Sequence, residues 1–118
     1  MEKSLRLRKN IEFQKVYKRG KSFWNREYTI LILKNNLTTS RIGFTVSKKF
    51  GSAVERNAIK RKLREIIRIN RDTLVKGYDI VIIPKKNTKD MKYYELERSL
   101  HHVFGLINRK SKNRRAKN

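Results

Sequence analysis

Apolar and polar residues recur with readable periods over most of this chain. Leu5 and Leu7 alternate with basic residues, which predicts a short extended arm. Ile11, Phe13, Val16 and Tyr17 then follow a helical period of about two turns, with Asn10 as the expected N-cap and Gly20 as the stop. Phe13 and Tyr17 are four apart and share a face of that helix. Phe23 and Trp24 read as packing residues. Residues 28–33, YTILIL, predict a strand ended by the turn-prone Lys34, Asn35 and Asn36. In residues 41–47, RIGFTVS, the alternation sends Ile42, Phe44 and Val46 one way and Arg41, Gly43, Thr45 and Ser47 the other. Together the two runs predict an antiparallel hairpin with one core face and one polar face.

Ser52 and Glu55 form an S-x-x-E capping box immediately before the next apolar period, so a helix is expected to start there. At 100° per residue, Ile59, Leu63, Ile66 and Ile67 gather on one side of it, while Asn57, Arg61, Arg64 and Arg68 line the other. Arg71 and Asp72 make a polar turn and Gly77 a break. YDIVII (78–83), closed by Pro84, is apolar almost throughout, the signature of an interior strand. Residues 85–92 read as loop. From 93 to 107 a helical stripe of Leu96, Leu100, Val103 and Ile107 predicts a helix that covers the sheet. One domain is expected over residues 1–108. Residues 109–118, with six basic side chains and no acid, predict a frayed helix end or a disordered tail.

Charge changes the meaning of this pattern. The 118 residues are 37% hydrophobic, enough for one core, yet carry 32 Lys and Arg against 10 Asp and Glu, a net charge of +22. A compact state that repels itself so strongly calls for a polyanionic partner. Residues 41–71 alone hold ten Lys or Arg against two Glu. Membrane is disfavoured, since no apolar run approaches the roughly 20 residues that span a bilayer. With no cysteine, disulfides and thiolate chemistry do not apply. No apolar signal core follows the charged start, so the expected location is the cytoplasm.

Protein-borne catalysis has little to work with. His101 and His102 read as solvent-facing, and adjacent helical positions diverge too far to share a metal. Glu55 is expected in its cap and Glu65 beside neighbouring cations, and no carboxylates cluster for a two-metal site. No catalytic residue and no protein metal site are predicted. Arginines on one ridge can instead fork onto successive phosphates, and Asn57 can bridge to a base or sugar edge. Lys48, Lys49, Phe50, Gly51 and Ser52 lead into a helix N-terminus, a candidate phosphate seat. Phe13 and Tyr17 have two readings, as core residues or as rings bordering a groove for unpaired bases. The charge and size fit a structural RNA-binding protein of the ribosomal kind equally well. A protein-only endoribonuclease would need the histidines. A double-stranded DNA binder lacks a helix-turn-helix partner for its basic helix.

The order of F-Q-K-V-Y (13–17), N-R-E-Y (25–28) and R-I-G-F-T-V-S-K-K-F-G-S-A-V-E-R-N-A-I-K-R-K-L-R-E (41–65) resembles the bacterial ribonuclease P protein subunit over about residues 5–107. The resemblance implies an α+β fold: an α/β sandwich with a mixed sheet of about four strands and a left-handed β-α-β crossover, where general handedness rules favour a right-handed one. It implies a non-catalytic role in removing the 5′ leader of precursor tRNA, with Mg²⁺ held mainly by the catalytic RNA. The partners implied are that RNA, bound one to one, and precursor tRNA. The family's Arg-Asn-Arg signature falls on Arg56 and Asn57, with Ala58 at the third position. Lys60, Arg61 and Arg64 match the cations that follow, and Arg68 extends the same ridge. These residues are expected on the catalytic RNA. The leader groove falls on Phe13, Tyr17, Thr29, Leu31, Thr45, Ser47 and Lys48, with Leu31 where an aromatic ring is expected.

Overall fold

The computed structural model describes the backbone of residues 5–117 and the side chains of residues 5–110. Its elements run α1 (Asn10–Arg19), β1 (Lys21–Trp24), β2 (Tyr28–Lys34), β3 (Arg41–Phe44), α2 (Ala53–Ile69), β4 (Tyr78–Pro84) and α3 (Tyr93–Lys117). The frayed helix end or disordered tail expected at residues 109–118 falls where α3 runs on to Lys117, with side chains described only as far as residue 110.

The most apolar strand takes the middle of the sheet. The strand order is β1-β2-β4-β3, with β2 antiparallel and β3 parallel to β4. Ile80 and Ile82 face one core and Val81 the other, so β4 is covered on both faces, and its two neighbours satisfy both backbone edges. The hairpin expected between residues 28–33 and 41–47 is therefore not formed, because β4 lies between them. A parallel pair needs a crossover, and the 17-residue α2 supplies it. β3 stops at Phe44, short of the expected residue 47. Beyond Thr45, whose N–H still reaches the Ile82 carbonyl at 3.1 Å, the partner strand ends in Pro84, which has no N–H to give.

β1 is a strand that periodicity missed, since KSFW is too short to show a period. Its turn is made by Asn25, whose side-chain oxygen accepts the N–H groups of Glu27 at 3.0 Å and Tyr28 at 2.8 Å. The Asn25 amide in turn donates to the Ser99 carbonyl at 3.0 Å, fastening the hairpin to α3. Alternation sends Phe23, not Trp24, towards the main core. Trp24 is 64% exposed, contrary to the packing role expected of it.

Helices cover both faces of the sheet. On one side Tyr28, Ile30, Ile32, Ile42, Ile80 and Ile82 pack against the predicted stripes of α2 and α3. On the other, Leu7, Val16 and Val81 form a smaller core with Phe13, Leu31, Leu33 and Ile83, and it is this that holds α1. The arm is extended as predicted: the Leu7 N–H donates to the Ile42 carbonyl at 2.9 Å, and Leu5 and Leu7 are buried.

Caps set the helix boundaries. In α2 the Ser52 hydroxyl accepts the Glu55 N–H at 3.2 Å and the Glu55 carboxylate accepts the Ser52 N–H at 2.9 Å, as the S-x-x-E motif requires. In α1, Asn10 is the first helical residue and not the cap. Lys9 holds that position, and the Glu12 carboxylate takes the N–H groups of Lys9 at 2.9 Å and Arg8 at 3.2 Å. Gly20 ends α1 for lack of space: a Cβ there would lie 2.5 Å from the Val16 carbonyl oxygen and 3.0 Å from that of Ile32.

Candidate nucleic-acid interface

Phe13 rests on a strand residue that has no side chain. A Cβ on Gly43 would stand 2.4 Å from Phe13 Cζ, so the ring needs a glycine beneath it. Phe13 is half-buried and belongs both to the α1 core and to the surface beside it. The Tyr17 ring follows at 6.3 Å between centroids, tilted by 46°, and its hydroxyl is 2.5 Å from Thr45 Oγ1. Phe13, Tyr17 and Thr45 are thus brought together, as expected of a groove. Leu31 faces the same side but is half-buried in the packing under α1. Thr29 lies on that side one row away, opposite Ile83 on β4 and Trp24 on β1. Ser47 and Lys48 are exposed in the turn that follows β3.

β3 is an edge strand, and α1 and α2 flank it from opposite faces of the sheet. Phe13 and Gly43 from one side, Phe44 from the strand, and Lys60 and Arg64 from α2 line a single cleft there, with Arg6 of the arm at its rim. The Arg64 guanidinium lies 5.9 Å from the centroid of the Phe44 ring, a cation–π distance. Two sets of residues that the sequence places on separate jobs thus share a border. Arg6 was missed, although its position between Leu5 and Leu7 sends it outward.

Along α2, Asn57, Arg61, Arg64 and Arg68 are all exposed, as the helical wheel requires. They are not equivalent. Arg68 forks onto Glu65 at 2.6 and 3.1 Å, an exposed pair that adds little stability but competes for the guanidinium. Arg56 is half-buried and donates to the Gly51 carbonyl at 2.8 Å, closing the turn before the helix. Lys60, Arg61 and Arg64 have no ion-pair partner among the described residues. The helix N-terminus expected to seat a phosphate already has a carboxylate. Glu55 lies there, bonded to Ser52 and to Lys89 at 2.8 Å, and these contacts, that of Lys89 first, hold its carboxyl down at about 2.

Several acids are engaged away from Lys60, Arg61 and Arg64 by bonds of their own. Asp79 accepts two bonds from Arg41, at 2.8 and 2.7 Å, and the same guanidinium reaches Glu12, so one arginine of β3 joins β4 to α1. Burial pushes the Glu12 carboxyl up, but the N–H groups of Lys9 and Arg8 and the charge of Arg41 together hold it below its ordinary value. Glu27 accepts from Ser99, Glu97 from Asn70 and Glu95 from the Lys92 N–H. Little negative charge is left to neutralise Lys60, Arg61 and Arg64.

The two histidines differ in their surroundings. His101 is not solvent-facing: it is half-buried, with Nε2 2.9 Å from Oδ1 of Asn70, the residue that ends α2. His102 is exposed, 3.3 Å from the Asn25 amide. Among the described residues no three His, Cys, Asp or Glu converge as a metal site, and no helix is long and apolar enough to cross a membrane.

This arrangement has counterparts. Residues 1–108 match the family model described as Ribonuclease P. The ribonuclease P protein component of Finegoldia magna is 57% identical over 103 residues, covering 87% of this chain and 90% of that one. That of Clostridium novyi is 42% identical over 113 residues, covering 92% and 100%. Among solved structures, the Staphylococcus aureus ribonuclease P protein superposes with a TM-score of 0.81 at 37% identity, covering 89% and 96%. The Thermotoga maritima protein does so with 0.79 at 37%, covering 84% and 94%. With sequence, fold and basic helix in agreement, the chain belongs to the bacterial ribonuclease P protein family, the protein component of a tRNA-processing endoribonuclease whose chemistry is carried by RNA.

Proposed function

We propose that this protein docks one to one on the catalytic RNA through α2 and holds the 5′ leader of precursor tRNA in the cleft beside β3. The observation that carries this reading is the meeting of Phe13 with Lys60 and Arg64 along one strand edge. A single strand is bound by rings that stack on its bases and cations that follow its phosphates, and the cleft offers both. Phe13 and Tyr17 supply the rings, and Thr45, beside Tyr17, a hydroxyl for the sugar-phosphate backbone. Thr29, Leu31, Ser47 and Lys48 border the path. Asn57 and Arg61, exposed on the outer side of α2, face the catalytic RNA with Arg68, while Arg56 shapes the turn that presents them. Lys60 and Arg64 stand where both RNAs converge and lower the repulsion between two polyanions.

The Mg²⁺ used in hydrolysis is assigned to the RNA, since among the described residues no three acids or histidines converge on one point. The protein works where precursor tRNA is made, in the cytoplasm. Reconstitution with the catalytic RNA tests the reading: the protein alone should leave precursor tRNA intact, and added to the RNA it should lower the Mg²⁺ concentration needed for cleavage. Absence of stimulation at any Mg²⁺ concentration would overturn it.

A further inference from the structure

Three large aromatic side chains away from the cleft are exposed: Trp24 on β1, and Tyr93 and Tyr94 in the first turn of α3. Trp24 is 64% exposed, and an exposed aromatic alone needs no explanation. Its place in the sheet gives it one. Trp24 is opposite Thr29, and Thr29 is opposite Ile83. The β3–β4 register, which pairs Phe44 with Ile82, puts Thr45 next in that row. Residues opposite one another across a sheet share a face, so Trp24 lies on the side of Tyr17 and Thr45, not on that of the main core. Three strand spacings separate it from Thr45, about 14 Å.

The corner that carries Trp24 is rigid and cationic. Asn25, its neighbour, is bonded to Ser99 of α3 and closes the turn to Tyr28. Lys85 Nζ sits 2.7 Å from the Asn25 carbonyl oxygen, and the nearby carboxylate of Glu27 is turned away onto the Ser99 hydroxyl at 2.7 Å. An indole on a fixed corner beside a cation, on the face where Leu31 offers no ring, has the chemistry of a base-stacking platform. Self-association through the exposed edge of β1 is opposed by a net charge of +22 and by Lys21 on that edge.

We infer that Trp24 stacks on an unpaired base of the precursor leader, extending the cleft across the sheet to a second aromatic platform. This rests on the proposed leader groove and adds a reach to it: the nucleotide at Trp24 is separated from the one at Tyr17 by the width of the sheet. Stacking strength grows with ring overlap, so a purine is favoured at that nucleotide over a pyrimidine.

Trp24 is the sole tryptophan, so it reports on itself. The reconstituted holoenzyme is titrated with precursor tRNAs whose leaders lengthen one nucleotide at a time, with tryptophan emission and affinity both read. Emission should be quenched once the leader is long enough to cross the sheet, and mature tRNA should leave it unchanged. At that same length the affinity of Trp24→Leu should fall about tenfold behind wild type, as loss of one stacked base predicts, while Trp24→Phe restores most of the gap. Quenching by the catalytic RNA alone, with no further change on adding precursor, would place Trp24 on the other RNA and overturn the inference. If Phe13→Ala weakens leader binding and Trp24→Leu does not at any length, the groove stands and its extension falls. If neither weakens it, the groove reading falls as well.

Discussion

Gly43→Ala tests the contact on which the cleft is built. The added Cβ would meet Phe13 Cζ at 2.4 Å, Phe13 Cε1 at 2.7 Å and Leu7 Cβ at 3.0 Å. Carbon atoms settle at about 3.5–4.0 Å, so the ring must retreat by roughly 1 Å. It is hemmed in by the packing under α1, and overfilling such a site costs about 1–3 kcal/mol. Replacing a glycine stiffens the unfolded chain and returns about 0.4–1 kcal/mol. The clash wins, with a net loss of about 0.5–2 kcal/mol and a fall in Tm of roughly 2–8 °C for a chain of this size. The assay is a double-mutant cycle by urea or thermal melting, with Phe13→Ala as the second change. Without the ring, Gly43→Ala should cost much less, the Leu7 Cβ contact at 3.0 Å being the clash that remains. An equal penalty in both backgrounds would refute the contact between Phe13 and the bare strand. In the holoenzyme, Gly43→Ala should also weaken precursor binding, because it moves Phe13 off its seat.

Three further outcomes are expected. Arg61→Ala should weaken assembly with the catalytic RNA and reduce the slope of log affinity against log salt by about one, as one lost phosphate contact releases one fewer counterion; an unchanged slope places Arg61 off the RNA. The depressed pKa of Glu12 means that its charged form stabilises the fold at neutral pH and that this stabilisation fades as pH falls through the folded value. Urea melts should therefore show Glu12→Gln less stable than wild type at pH 6, with the gap closing below the ordinary glutamate pKa of about 4.3; a gap that widens in acid contradicts the Arg41 link. Finally, a net charge of +22 should make the Tm of the isolated protein rise as chloride salt is added from low ionic strength, since counterions screen its self-repulsion, and an unchanged Tm would contradict that reading.

Much of this molecule follows from local chemistry. The Ser52–Glu55 box places α2, the stripe Ile59, Leu63, Ile66 and Ile67 turns its basic ridge outward, and the apolar run 78–83 marks the interior strand, all from neighbours within a few positions. The alternation in residues 41–47 puts Gly43 and Thr45 on the α1 side, as observed. Short pieces escaped. KSFW is too brief for a period to distinguish strand from loop, or to show that Phe23 packs inward while Trp24 faces out. The Asn10 cap failed because the helix starts one residue earlier, with Lys9 at the cap and the Glu12 carboxylate, three residues on from Lys9, accepting its N–H, a shift that residue type alone does not reveal.

By itself, the sequence determined the buried stripes of α2 and α3 and the excess of cations, because periodicity and charge are properties of the chain. Pairing is not. Only the tertiary structure inserted β4 between β2 and β3, left β3 at an edge, and brought Phe13 of one helix to Lys60 and Arg64 of another across it. The reason is that strand order is decided by which face and edge must be covered by segments far away in sequence, and a cleft exists only where two such segments meet.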